Sequence, residues 1–190
     1  MATWYTSDLH FGHKNIIEYS NRPFKDLADM HEGLIKNWNE CVRPEDTIYV
    51  LGDLSLCPFK EFEPIVKRLN GKKILIKGNH DHYKDGQYAK LGITVYHELK
   101  MKICGQIVRM SHYPYALPLY KRLFAFKSEL RFMQLRPPRI KGEFLMHGHA
   151  HTKKKMIDNM LHVGTDAWGH YPVSSGEIES LINKSLKGRI

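Results

Sequence analysis

TIYVLGDLS, residues 47–55, runs a short apolar and β-branched stretch into Gly52 and Asp53. An apolar run of this length, closed by a turn signal, reads as a buried strand with Asp53 at its carboxyl end. ATWYTSDLH, residues 2–10, has the same form and ends on Asp8 and His10, and KKILIKGNHDH, residues 72–82, ends on Asn79 and His80. The connections between these strands are helical in pattern. From Asp26, the apolar residues Leu27, Met30, Leu34, Ile35, Trp38 and Val42 recur at helical spacing until Arg43-Pro44, which predicts a helix packed on a sheet. KEFEPIVKRLNG, residues 60–71, reads as a second helix stopped by Gly71, with Pro64 able to divide it into two pieces. Three βα units with polar residues at the strand ends predict an α/β sheet, in which sites form outside the carboxyl ends of the strands.

The second half of the chain is richer in strands. TVYHELKMKICGQIVRMSH, residues 94–112, reads as strands joined by a tight turn at Cys104-Gly105, and EFLMHG and KKMIDNMLHVG follow. Ser174, with Glu177 three residues later, fits a capping box before IESLINKSL, which predicts a closing helix. At 190 residues the chain fits one domain, residues 1–190, with no evident linker or fixed-period repeat.

Composition narrows the class of partner. The formal charge of +9 favours acidic partners such as phosphates or nucleic acid. Cys41, Cys57 and Cys104 are odd in number and lack CxxC pairing, as expected of reduced thiols rather than a disulfide framework or a zinc knuckle. The start MATWYTSDLH has no basic segment followed by an apolar one, and no apolar stretch approaches membrane-spanning length. The expectation is a soluble cytoplasmic protein that does not engage a membrane.

FLMHGHAHTKKK, residues 144–155, sets His147, His149 and His151 at alternate positions, which would share one face if the strand continued past Met146. One such run is weak evidence for a metal site. Five strand ends that all carry metal-capable side chains are stronger: Asp8 and His10, Asp53, Asn79 and His80, His112, then His149 and His151. Oxygen and nitrogen donors without thiolate suit Mn, Fe, Co, Ni or Zn.

In order along the chain these ends spell D-x-H, G-D, G-N-H-D, H and G-H-x-H, a set that resembles the calcineurin-like metallophosphoesterase family from residue 8 to residue 151. The resemblance implies a two-sheet αββα sandwich with its metal site at the C-terminal strand ends. It implies two divalent transition-metal ions, manganese foremost. Asp8, His10 and His151 would hold one, Asn79, His112 and His149 the other, and Asp53 would bridge them. It further implies that His80 contacts the substrate phosphate or leaving group, with Asp81 as its orienting partner, and that the nucleophile is a hydroxide held between the ions. His13 and Arg22, on the first long loop, are candidate substrate contacts, whereas His147 has no ligand role.

The expected substrate is a phosphate ester, with a nucleotide or short nucleic-acid diester leading. A phosphomonoester of a metabolite or phosphoprotein, or a non-catalytic scaffold, are the alternatives. Residues 114–141 form a basic insertion with seven Lys or Arg against one acid, interleaved with Tyr115, Tyr120, Phe124, Phe126 and Phe132, a composition able to supply stacking faces beside phosphate contacts.

Overall fold

The computed structural model describes residues 1–118, 120 and 130–188. Within the basic insertion, Lys121, Arg122, Phe124, Phe126, Lys127 and Glu129 therefore lie outside the described residues.

The first half alternates strand and helix as its pattern predicts. Strands β1 (Thr3–Thr6), β2 (Thr47–Val50), β3 (Lys72–Ile76) and β4 (Ile93–Tyr96) run parallel, with β10 (Val173–Ser174) antiparallel on the outer side of β1. Helix α1 (Ile16–Tyr19) is a single turn. Helix α2 (Leu27–Cys41) starts where the Asp26 side chain accepts from the Asp29 N–H, and it buries Met30, Leu34, Ile35 and Trp38. Helix α3 (Phe59–Arg68) is one helix and not two, for Pro64 lies inside it. The apolar set Phe62, Ile65 and Val66 is buried across the proline, so packing outweighs the missing backbone donor. Helix α4 (Asp85–Lys90) leads into β4.

The second sheet has the order β5-β6-β7-β9-β8, from β5 (Leu99–Ile103), β6 (Gln106–Met110), β7 (Glu143–His147), β8 (Met156–Ile157) and β9 (Met160–His162). β5 and β6 form the predicted hairpin, and Cys104 and Gly105 at its turn both have positive φ. β6, β7 and β9 are mutually parallel, whereas β8 folds back antiparallel on β9. Helix α5 (Ser175–Leu186) carries the predicted capping box, with Ser174 Oγ accepting from the Glu177 N–H.

Successive residues of the first sheet feed opposite cores, which is why its strands read as continuous apolar runs. Ile48, Val50 and Leu75 pack under α2 and α3 with Leu34, Trp38 and Phe62. Tyr5, Leu51 and Ile76 face the second sheet and pack with Val108, Met110, Met146 and Leu161, joined by Ile178 and Ile182 of α5. Two mixed sheets flanked by helices make the αββα sandwich. The segments that follow β1, β2, β3, β6 and β7 come together at one place. No helix among the described residues is long and apolar enough to cross a membrane.

Candidate metal centre

The side chains that leave those strand ends converge. Three groups of donors each have ligand atoms within 4.8 Å of one another: Asp8 with His10 and His151, Asp53 with His112 and His149, and His10 with Asp53 and His80. Asp53 is the common member of the last two. Its Oδ1 accepts from the backbone N–H of His80 at 2.9 Å, which leaves Oδ2 to face both sides, 3.7 Å from His10 Nε2 and 3.4 Å from His112 Nε2. Asn79 Oδ1 lies 3.1 Å from His112 Nε2, so it joins the Asp53, His112 and His149 group.

The backbone around these donors is strained. Asp8 (φ +58°), His10 (+55°), Asp53 (+52°), His149 (+67°) and His151 (+44°) all sit in the left-handed region, where residues other than glycine are uncommon. Strain of this kind persists where the surroundings enforce it, and it gathers at functional sites. It also changes the local reading of HGHAH. β7 ends at His147, so the three histidines do not share a strand face. The left-handed turns at His149 and His151 send the two rings to different donor groups instead.

Two of the close approaches that depend on glycine bring loops onto the carboxylates. A Cβ on Gly148 would lie 1.8 Å from Ser7 Oγ and 2.6 Å from Asp8 Oδ2, and one on Gly78 would lie 2.3 Å from Asp53 Oδ1. The glycines let the loops close onto the carboxylates. The backbone N–H of His149 then donates to both Asp8 oxygens at 3.0 Å.

The donor set fits divalent cations. His112 Nδ1 donates to Leu51 O at 2.8 Å and His151 Nδ1 donates to Asp166 Oδ2 at 2.7 Å, so each ring turns its Nε2 lone pair into the site. There the nitrogens approach one another closely: His10 Nε2 and His151 Nε2 are 3.2 Å apart, as are His112 Nε2 and His149 Nδ1. Facing lone pairs repel unless a proton or a cation lies between them. Burial pushes the His10 imidazole well below its ordinary value and, with His112 adding to the effect, lowers His149 to about 3. Burial also opposes charge on His112, yet the hydrogen bond and charge of Asp53 outweigh it and raise that imidazole to about 9. Asp53 is correspondingly held below the usual carboxylate range, because its pairing with His112 and His10 overcomes its own burial. Without a cation, His112 thus carries a proton that a metal would replace.

The Calcineurin-like phosphoesterase family model matches residues 1–184. The chain belongs to that family. Its clustered His and Asp donors are those of a metal-dependent phosphoesterase, and they form two sites. Among relatives of this calcineurin-like chain, the Gene 66 proteins of Mycobacterium phages L5 and D29 are 33% and 32% identical. Those matches span 95% and 97% of this chain and 94% and 98% of theirs. An uncharacterized protein of Methanocaldococcus jannaschii is 48% identical over 79 residues, a stretch that covers 40% of this chain and 45% of that protein. A crystal structure of a protein of unknown function from Aquifex aeolicus superposes with a TM-score of 0.67 at 28% identity, spanning 95% of this chain and 98% of that one.

Other residues singled out in the sequence take different places. His80 stands at the mouth, 38% exposed in its side chain, with its Nε2 4.0 Å from Asp53 Oδ2. The His13 ring lies 5.5 Å from that of His10 and 6.3 Å from that of His80, so it is on the same rim. His147 is buried, with Nδ1 on its neighbour Gly148 O and its ring against His162, and it joins none of the donor groups. Asp81 does not orient the His80 ring. It is buried and accepts from the backbone N–H groups of Asp53, Leu54 and Gly78 at 2.7, 3.0 and 2.8 Å, tying the turns after β2 and β3 together. Arg22 is no substrate contact either, being 4% exposed with its guanidinium turned inward. It donates to Asp8 O at 2.6 Å, Leu9 O at 2.9 Å and Asp166 Oδ1 at 2.8 Å, bracing the first loop from behind. Tyr115 supplies no stacking face, for it is buried with its hydroxyl on Glu143 O.

Asp166 was not singled out in the sequence. It orients His151 and pairs with Arg22, so it fixes one ligand candidate and, through Arg22, the backbone of another. LHVGTD, residues 161–166, carries a partial signal for it, since a short apolar run closed by glycine with an aspartate two residues on comes near the Gly52-Asp53 ending.

Proposed function

We propose that this protein hydrolyses phosphodiesters of nucleotides or short nucleic acids at a two-metal site, with manganese the leading metal. The observation that carries the proposal is that six donors from four strand ends form two groups on either side of Asp53 Oδ2, which comes from a fifth strand end. In it, Asp8, His10 and His151 hold one cation, Asn79, His112 and His149 the other, and Asp53 serves both. The pair, when bound, activates a water for in-line attack and stabilises charge on the phosphoryl oxygens.

The chain's own residues position the rest. Asp166 and the Leu51 carbonyl keep His151 and His112 in the tautomers that ligation needs. His80, exposed beside Asp53 and outside the seven donors, donates a proton to the leaving oxygen. His13 lines the same rim, placed to meet the substrate. The formal charge of +9 and the basic composition of residues 114–141 favour a polyanionic substrate over a small neutral-bodied ester. The metal site and its chemistry need no membrane, and a cytoplasmic setting is consistent with the sequence.

The test is a screen of chelated and metal-resupplied protein against bis(p-nitrophenyl) phosphate, p-nitrophenyl phosphate, cyclic and linear nucleotides, and oligonucleotides. Metal-dependent cleavage of diesters in preference to monoesters is the expected result. Preference for monoesters would overturn the substrate class, and metal binding without turnover on any of them would leave a scaffold.

A further inference from the structure

The described end of the basic insertion returns to the metal centre at Phe132. Its backbone takes φ +63°, a left-handed conformation that is uncommon for a bulky residue. The ring this backbone presents meets His149 edge-on, with centroids 5.7 Å apart at 82°, and lies 5.7 Å from Tyr113. Tyr113 is buried and packs in turn on His112 at 4.9 Å and His149 at 5.1 Å. Phe132 is the half-exposed outer member of this aromatic corner. The exposed Arg131 lays its guanidinium over the Phe132 ring, 4.7 Å from the centroid.

Left-handed backbone is costly for a bulky residue, and the ring it presents carries a guanidinium on its face. Here both are found at the rim of the candidate metal centre. An aromatic ring paired with guanidinium groups is the chemistry by which proteins hold a base and its phosphates together. A phosphate ester of an aliphatic metabolite would gain nothing from the ring.

We propose that Phe132 and Arg131 form a nucleoside subsite beside the His112 and His149 side of the metal centre. The base flanking the scissile phosphate enters between the Phe132 ring and the Arg131 guanidinium, which lifts from the ring to close over it. This subsite rests on the phosphodiesterase reading above, and Arg131 and Phe132 set which diesters are preferred.

The test compares thymidine 5′-(p-nitrophenyl phosphate) with methyl p-nitrophenyl phosphate, two diesters that share the leaving group and the bond cleaved. Wild type should favour the thymidine ester in kcat/KM. Phe132→Leu should reduce the ratio of the two kcat/KM values about tenfold or more, chiefly through KM, and Arg131→Gln should reduce it in the same direction. Phe132→Tyr, which keeps the ring, should retain the preference. Metal content is measured in parallel. A ratio unchanged in both Phe132→Leu and Arg131→Gln overturns the subsite, and metal loss with equal decline on both esters assigns Phe132 to the support of His149 instead. Wild type inactive on both diesters, yet active on p-nitrophenyl phosphate, removes the phosphodiesterase reading and the subsite with it.

Discussion

Replacing Arg22 with Met removes a buried cation that holds the first loop while leaving comparable apolar bulk. The guanidinium side chain has no exposed surface, and the Asp166 side chain paired with it is 5% exposed. Loss of one partner from a buried ion pair costs about 3–5 kcal/mol, mostly for the charge left behind. Some of that charge remains compensated, because His151 Nδ1 still donates to Asp166 at 2.7 Å. Against this, the carbonyls of Asp8 and Leu9 lose their donors, and an unsatisfied buried carbonyl costs about 1–3 kcal/mol. The two effects overlap, so about 3–5 kcal/mol in total is the working figure. For a chain of this size, 1 kcal/mol moves the melting temperature by about 2–4 °C, which gives a fall of about 6–20 °C. Thermal unfolding should be followed by circular dichroism on chelated protein, so that metal binding adds nothing to the difference. Asp166→Asn removes the charge that Arg22 balances, so the double variant should be more stable than the sum of the two single losses by at least about 1 kcal/mol. A loss below about 1 kcal/mol for Arg22→Met, the range of an exposed pair, would refute the bracing role. Strict additivity would refute the coupling.

Three further outcomes follow from the same geometry. Because His112 is held up to about 9, the metal-free protein should still carry most of its proton at pH 8, and metal uptake there should release close to one proton per chain from this group. Below about pH 9 affinity should rise with pH, whereas an imidazole at its ordinary value would release almost nothing at pH 8; indicator-dye titration reads the difference. His80→Ala should slow cleavage of a nucleotide diester with an alkoxide leaving group by about 10²–10⁴-fold, and that of its p-nitrophenyl analogue far less; equal loss on both would leave His80 in phosphate positioning alone. Gly148→Ala puts a methyl group into Ser7 and Asp8, so metal content by elemental analysis should fall in the purified variant, and full occupancy would show that the loop can retreat without cost.

The parts of this site legible in the sequence are those set by local pattern. A short apolar run broken by Ser-Asp or Gly-Asp places a carboxylate at a strand end whichever neighbours that strand acquires, and Asp8 and Asp53 could be read that way. The Asp26 cap and the Ser174 and Glu177 box are likewise contained within a few residues. Arg22 and Asp81 were singled out as site residues, but the direction of their side chains was not legible. Each is next to the centre, yet the partners that turn them inward, Asp166 and the N–H groups of Asp53 and Leu54, come from chain segments 144, 28 and 27 positions away. The role of Asp166 is not contained in its local sequence, because it exists only where β9 brings the residue beside His151. The HGHAH run misleads in a local sense, since alternation implies a shared face only while the strand lasts. Here the backbone turns left-handed immediately after it.

The account stands on Asp53 Oδ2 serving both donor groups, and metal stoichiometry of Asp53→Asn against wild type tests it most directly. Inductively coupled plasma analysis of protein loaded with manganese and freed of excess should give two ions per chain for wild type. Asp53→Asn should retain less than one and lose turnover on bis(p-nitrophenyl) phosphate. Two tightly held ions and near-normal turnover in the variant would contradict the shared-carboxylate site.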